Sequence, residues 1–211
     1  DKLEPLLALI LATADTDDTR EMAVAAQGMA KAVELLGKKF TLIATNVPYL
    51  GRAKQDKVLQ DFCERVFGNA KADLANCFIE RCLIFGAENG TATLVAPQNW
   101  MFLSTYKAQR THLLKNGCLD VLAFLGAGAF DTIAGEVVNV ALVTLTKKKP
   151  GANHIIQGID AISSKSIEDK SDALRTQELQ AAIQRSLLAD ESAIISLELV
   201  SDLPRLSKYG L

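Results

Sequence analysis

The chain has 211 residues, 49% of them apolar and 23% charged, with a formal net charge of -2. That is enough apolar material for one substantial core, or for one core and the start of a second module. The near-neutral balance excludes a self-sufficient, strongly basic nucleic-acid binder, so any such contact must be local or depend on regions outside the chain. Cys63, Cys77, Cys82 and Cys118 are widely spaced with no CxxC pair, which reads as a reduced, cytoplasmic protein with buried thiols. His112 and His154 lie far apart in sequence and give no metal cluster. The apolar stretch from Leu6 to Ala14 is too short to cross a bilayer, so no membrane partner is expected. The chain opens at Asp1 and stops just past Pro204 and Lys208-Tyr209-Gly210, which reads as an excised piece of a larger protein.

Residues 3–13 predict a short apolar helix, followed by a polar break at Asp15 to Thr19. Met22, Ala25, Ala26, Met29, Ala30 and Val33 recur at helical spacing, and Gly37 closes that helix. Phe40 to Ala44 predicts a short buried strand. Val58, Leu59, Phe62, Val66 and Phe67 mark a helix that Gly68-Asn69 ends. Leu74, Phe78, Cys82 and Phe85 mark another, with Asp73 placed to cap it. Asn89-Gly90 predicts a turn before a strand from Thr91 to Ala96 that Pro97 stops. A helix from Ser104 to Lys115, a strand from Cys118 to Leu125, a small-residue loop from Gly126 to Gly135 and a strand from Glu136 to Thr146 follow. The last two strands have no helix between them and are expected to pair antiparallel at one edge of the sheet. Beyond the break at Lys147 to Gly151 come a weak strand near His154 to Gln157, a helix around Ser171 to Leu188 and a strand near Ile194 to Val200. The pattern is an α/β layer architecture.

The informative segment is Asn46-Val47-Pro48-Tyr49, directly beyond the Phe40 strand. In an open α/β sheet the carboxyl ends of strands are where ligands bind. The tetrapeptide resembles the Asn-Pro-Pro-Tyr motif of the N6-adenine DNA methyltransferases, especially the large restriction-modification and phage-defence members. Lys71-Ala72-Asp73-Leu74, Phe78 to Leu83, Gly90, Pro97-Gln98-Asn99-Trp100-Met101-Phe102 and Gly135 to Val140 resemble further family segments in the family's order. The resemblance covers roughly residues 20–146. It implies the later half of a Rossmann-like methyltransferase sheet with flanking helices. Residues 1–39 would form a helical segment leading into the sheet. Residues 40–150 would be the target-base half of the catalytic core, and 151–211 an extension linking to a target-recognition region.

What the resemblance implies chemically is methyl transfer from S-adenosylmethionine to N6 of an adenine flipped out of double-stranded DNA. The Asn46 side-chain oxygen and the carbonyl of Val47 would accept the two hydrogens of the amino group. Two preorganised acceptors favour a pyramidal nitrogen with a more localised lone pair. Tyr49 would stack on the flipped base, and Phe130 would approach its other face. Asp73, Pro97 and Trp100 match positions that line or brace the cleft. No metal and no covalent protein intermediate is required. Val47 departs from the family's first proline, losing ring rigidity but keeping the carbonyl, and Pro48 still restricts its backbone.

The plainer readings are a simple turn at Asn46, a helix cap at Asp73, packing at Trp100 and Phe130, and a solvated helix face at Glu80 and Arg81. Gly126-Ala127-Gly128 is not followed by a helix and is a weak dinucleotide loop. Neither a glycine-containing cofactor loop nor a strand-borne acidic ribose ligand precedes residue 40, since no strand leads into Asp15 to Asp18. The isolated chain is therefore expected to be inactive, with most of the cofactor site lying elsewhere in the full protein. A bare edge at Phe40 to Ala44 would favour self-association, or covering of the edge by residues 1–36. The alternative function is a non-catalytic DNA-binding or assembly module of the same fold. A third is methylation of a protein or small molecule, since relatives with the same tetrapeptide include enzymes that methylate protein glutamine or RNA.

Overall fold

A computed structural model describes residues 16–130 and 138–199. The expected helix at 3–13 lies outside them. Helix α1 (Asp17–Gly37) begins at Thr16, whose hydroxyl accepts from the Thr19 N–H while the Thr19 hydroxyl returns the contact, a capping box. Glu34 bridges Lys31 and Lys38 along one side of this helix. Met22, Met29 and Val33 are exposed. Residues up to Phe40 and residues from Thr41 onward form two separate compact units.

The second unit is built on a mixed sheet. Its strands are β1 (Phe40–Asn46), β2 (Gly86–Pro97), β3 (Cys118–Gly126), β4 (Val140–Thr146), β5 (Ile155–Asp160), β6 (Gln180–Ile183) and β7 (Glu198–Leu199), in the order β1-β2-β4-β3-β5-β6-β7. β4 runs antiparallel to both β2 and β3, so β2 and β3 run the same way. β3 and β5 pair in parallel. The helices are α2 (Lys57–Val66), α3 (Leu74–Phe85), α4 (Lys107–Asn116), α5 (Ile167–Thr176) and the short α6 (Gln184–Leu187).

Alternation along β3 explains the layers. Leu122 and Phe124 join the main core with Ile79 of α3, Leu94 of β2, Leu113 and Leu114 of α4, and Val143 of β4. Ala123 and Leu125 point the other way and pack with Ala173 of α5. Both faces of the sheet are therefore covered. Cys63, Phe67, Ala70 and Cys77 form a smaller cluster where α2 meets α3.

Several expectations need correction. β1 is not a buried strand: it stands at one end of the described sheet, and Leu42 is 64% exposed. Asn89-Gly90 is not a turn between elements, because β2 runs through it. Asn89 takes a left-handed backbone (φ 61°), and hydrogen bonds between Asn89, Gly90 and Lys147 continue the ladder. β3 and β4 pair antiparallel as expected, but in the middle of the sheet, because β5, β6 and β7 extend it. The described part of the last core strand is Val140–Thr146, and 136–137 lie outside the described residues. The helix expected over Ser171 to Leu188 is two helices separated by β6, whose pairing with β5 overrides local helix preference. A 3-10 turn (Ser104–Tyr106) precedes α4, and only Glu198–Leu199 of the last expected strand is extended in a ladder. Glu80 is not solvated: it is partly buried, and that burial raises its carboxyl pKa.

Candidate active site at the carboxyl end of the sheet

The chain leaves β1 at Asn46, which is exposed, and turns inward at Val47, which is 3% exposed and packs in the main core. The Val47 N–H donates to the Val95 carbonyl at 3.3 Å. A proline at this position could not make that bond, so valine exchanges ring rigidity for an extra backbone tie to β2. Among the described residues no hydrogen bond engages the Asn46 side chain, and no backbone N–H donates to the Val47 carbonyl.

The segment after the tetrapeptide is held from two sides. The Leu74 N–H donates to the Leu50 carbonyl and the Arg52 N–H to the Ala72 carbonyl, both at 3.0 Å, with a bridge between Gly51 and Asp73. On the other side Gln55 Nε2 donates to the Leu50 carbonyl at 2.9 Å, and Gln60 Nε2 reaches the carbonyls of Arg52 and Gln55. Arg52 and Lys71 share Glu64, whose carboxyl is held below its ordinary pKa first by Lys71 and then by Arg52. Asp73 caps α3 through Oδ1, which accepts from the Ala75 N–H at 2.8 Å. The Asp73 charge also reaches two phenols. Burial, and then that charge, raise the pKa of Tyr49 and of Tyr106.

These elements surround a cleft of about 540 Å³ lined by Tyr49, Arg52, Asp73, Pro97, Asn99 and Val138, among others. That volume is in the range of small-molecule sites, ~300–1,000 Å³. Of the residues singled out in the sequence, Tyr49, Asp73 and Pro97 come together here. Asn46 and Val47 lead directly into the cleft wall, and Pro48 between Val47 and Tyr49 is exposed. Trp100 is 1% exposed and belongs to the core; its carbonyl accepts from Arg110. Phe130 is 48% exposed and does not line the cleft. It follows Gly126 and Gly128, both at φ +66°, a backbone that side chains rarely adopt. Arg52 and Lys54 also line the cleft, and the sequence offers a readable sign of them in two basic residues three and five positions past Tyr49.

A model of the Eco57I restriction-modification methylases matches residues 8–130, more than half of the chain. The chain belongs to the Eco57I restriction-modification methylase family. Membership places it among the adenine-specific DNA methyltransferases of restriction-modification systems. Curated relatives include the adenine-specific methyltransferase PglX of Lacticaseibacillus casei (strain Zhang), 31% identical over 149 residues, which make up 71% of this chain and 12% of that protein. BrxX of Escherichia coli O9:H4 (strain HS), also an adenine-specific methyltransferase, is 34% identical over 117 residues, or 56% of this chain and 10% of that protein. The chain thus spans about a tenth of the length of these relatives.

Solved structures share the fold. The ATP-dependent Type ISP restriction-modification enzyme LlaBIII bound to DNA superposes with a TM-score of 0.58 at 15% identity, covering 81% of this chain and 13% of that one. A modification subunit of a putative type I restriction enzyme from Vibrio vulnificus YJ016 gives a TM-score of 0.53 at 16% identity, covering 80% and 39%. No helix among the described residues is long and apolar enough to cross a membrane.

Proposed function

We propose that, in the full-length protein, this chain forms the target-base half of a methyltransferase that modifies N6 of an adenine flipped out of double-stranded DNA, in restriction-modification or phage defence. The observation that carries this reading is the end of β1: an exposed Asn46 side chain and a Val47 carbonyl, neither engaged by a described hydrogen-bond donor, directly ahead of Tyr49 in the cleft wall. Asn46 Oδ1 and the Val47 carbonyl accept the two N6 hydrogens and orient the amino group. Tyr49 positions the ring by stacking. Asp73, Pro97 and Asn99 close the cleft around it.

The methyl donor in this reading is S-adenosylmethionine, which supplies an electrophilic methyl group. Among the described residues no strand followed by a glycine loop and a helix precedes β1. The residues of the cleft are assigned to the base, with most of the cofactor site lying elsewhere in the full-length protein. The tight cross-bracing of residues 50–55 by Gln55 and Gln60 supports preorganisation of the base site. Phe130, which stands outside the described lining of the cleft, is the proposed second wall of the base site.

The test uses the full-length protein and duplexes carrying 2-aminopurine at the target position. Tyr49→Ala is expected to lose the fluorescence increase of a flipped base and to weaken retention by about 1–3 kcal/mol, the worth of one base–aromatic stack. An unchanged flipping signal in Tyr49→Ala would remove Tyr49 from the pocket. DNA binding with no flipping in the unsubstituted protein would favour a non-catalytic DNA-binding module.

A further inference from the structure

A second cluster of chemically capable side chains lies at the other end of the sheet. Pro97 of β2 and Gly126 of β3 both pair with Val140, whereas Cys118 and Thr91 both pair with Thr146. Cys118 is therefore about 20 Å from the Pro97 end, given ~3.3 Å per strand residue. Here the sulfur of Cys118, a carboxylate oxygen of Asp120 and a ring nitrogen of His154 all lie within 4.8 Å of one another. His154 and Cys118, remote in sequence, meet because β3 and β5 are parallel neighbours.

We propose that Cys118, Asp120 and His154 form a binding site for a single thiophilic divalent d-block cation, Zn(II) in type. The geometry points to such an ion. His154 Nε2 and Asp120 Oδ1 are 3.5 Å apart. Ligands bonded at about 2.0–2.1 Å in a tetrahedral shell sit about 3.4 Å from each other. One sulfur, one imidazole and one carboxylate favour Zn(II) over Mg(II) or Ca(II), which take oxygen ligands.

The outer shell is also in place. Thr146 Oγ1 donates to Asp120 Oδ2 at 2.6 Å, leaving Oδ1 on the His154 side. Gln184 ties the two strand starts together. Its Oε1 accepts from the Leu119 N–H, its Nε2 donates to the carbonyls of Leu114 and Gly117, and its backbone N–H donates to the His154 carbonyl. The Thr146 bond fixes the Asp120 carboxylate, and Gln184 fixes the backbone on which Cys118 and His154 stand. Cys118 is 5% exposed, while the Asp120 and His154 side chains are 30% and 21% exposed, which gives an ion a route in.

The cation displaces the Cys118 thiol proton to solvent and forms a metal–thiolate bond. His154 Nε2 also lies 3.0 Å from the Leu119 carbonyl. On binding, Nε2 turns its lone pair to the ion, with the ring proton carried on Nδ1, so the imidazole stays neutral and one proton is released in all. The Leu119 carbonyl then becomes available as a fourth oxygen donor, or water fills that place. The bound ion clips the start of β3 to the residue before β5.

The probe is Co(II), titrated into purified protein free of any histidine tag. One equivalent should produce a thiolate-to-cobalt absorption band and the visible bands of a tetrahedral site, and Zn(II) should abolish both by displacement. Cys118→Ser should lose the thiolate band, while Cys63→Ser, which removes another buried thiol, should retain it. Thr146→Val should weaken Co(II) binding by about 10–100-fold, as the loss of an outer-shell partner does. His154→Gln carries the test if Cys118→Ser does not fold, and it should lose the tetrahedral bands. No stoichiometric Co(II) spectrum in the unsubstituted protein, or bands that survive both Cys118→Ser and His154→Gln, would overturn the proposal.

Discussion

Arg110 offers a demanding test of how residues 190–195 are fastened to the cleft-bearing part of the sheet. Its side chain is fully buried, with 0% exposure. Nε donates to the Ala193 carbonyl at 2.8 Å, one terminal nitrogen to the carbonyls of Trp100 (2.7 Å) and Leu103 (3.0 Å), and the other to that of Ser192 (2.6 Å). A planar fork with several fixed donors can span four carbonyls in this way. Arg110→Met keeps much of the apolar stem and removes every one of these donors. Hydrogen bonds from charged groups contribute about 1.5–3 kcal/mol each, and the carbonyls left behind add a desolvation cost. Relief of the buried charge offsets part of this. The expected net loss is about 3–5 kcal/mol, a large share of a typical domain stability of ~5–15 kcal/mol. Arg110→Lys should recover less than half, because one ammonium cannot reach all four carbonyls. The assay is urea unfolding with hydrogen exchange at the Ile195 amide, which donates to the Met101 carbonyl across the same contact. A loss below ~1 kcal/mol in Arg110→Met, outside the range for a broken buried network, would refute this reasoning.

Three further outcomes follow from the same structure. Gly158→Ala should destabilise by about 1–3 kcal/mol, the usual overpacking cost, because a Cβ there would overlap the Leu122 carbonyl oxygen; a melting temperature equal to the parent's would contradict it. The buried Cys82 thiol is pushed up from 9.0 to about 11, mainly by burial. The folded state therefore holds this proton more tightly than the unfolded state. Its contribution to stability is complete below pH 9 and is lost as pH rises toward 11, so Cys82→Ala should flatten the fall in unfolding free energy over that window relative to the parent. Phe130→Ala in the full-length protein should reduce the 2-aminopurine flipping signal with little change in melting temperature, since Phe130 is 48% exposed; an unchanged signal would leave Tyr49 as the single proposed stacking wall.

The parts of the site that are local in sequence were legible there. Asn46 to Tyr49 announces itself because a polar residue, a rigid proline and an aromatic interrupt the chain just beyond a β-rich run. Asp73 reads as a cap because it stands immediately before the apolar periodicity of α3. Elements set by distant partners were not legible. Gln180 to Ile183 is a strand because β5 offers a ladder, while its flanking residues are also compatible with helix. Burial of Arg110 and Gln184, both at 0% exposure, depends on carbonyls contributed by remote segments, and no spacing rule marks such acceptors. Phe40 to Ala44 has the composition of a buried strand, but burial depends on neighbours, and this strand stands at the end of the described ladder.

The central claim is that Asn46 is an acceptor for the adenine amino group, and it is tested most directly by methyl transfer in the full-length protein. Asn46 is exposed at the end of β1, with no described hydrogen bond to its side chain, so Asn46→Ala should leave folding nearly intact. Radiolabelled methyl transfer to adenine in duplex DNA should fall by about 10²–10³-fold, the usual consequence of removing one preorganised polar group from a reacting centre. Methylation by Asn46→Ala at the parent's rate, with adenine N6 confirmed as the product site, would contradict the claim.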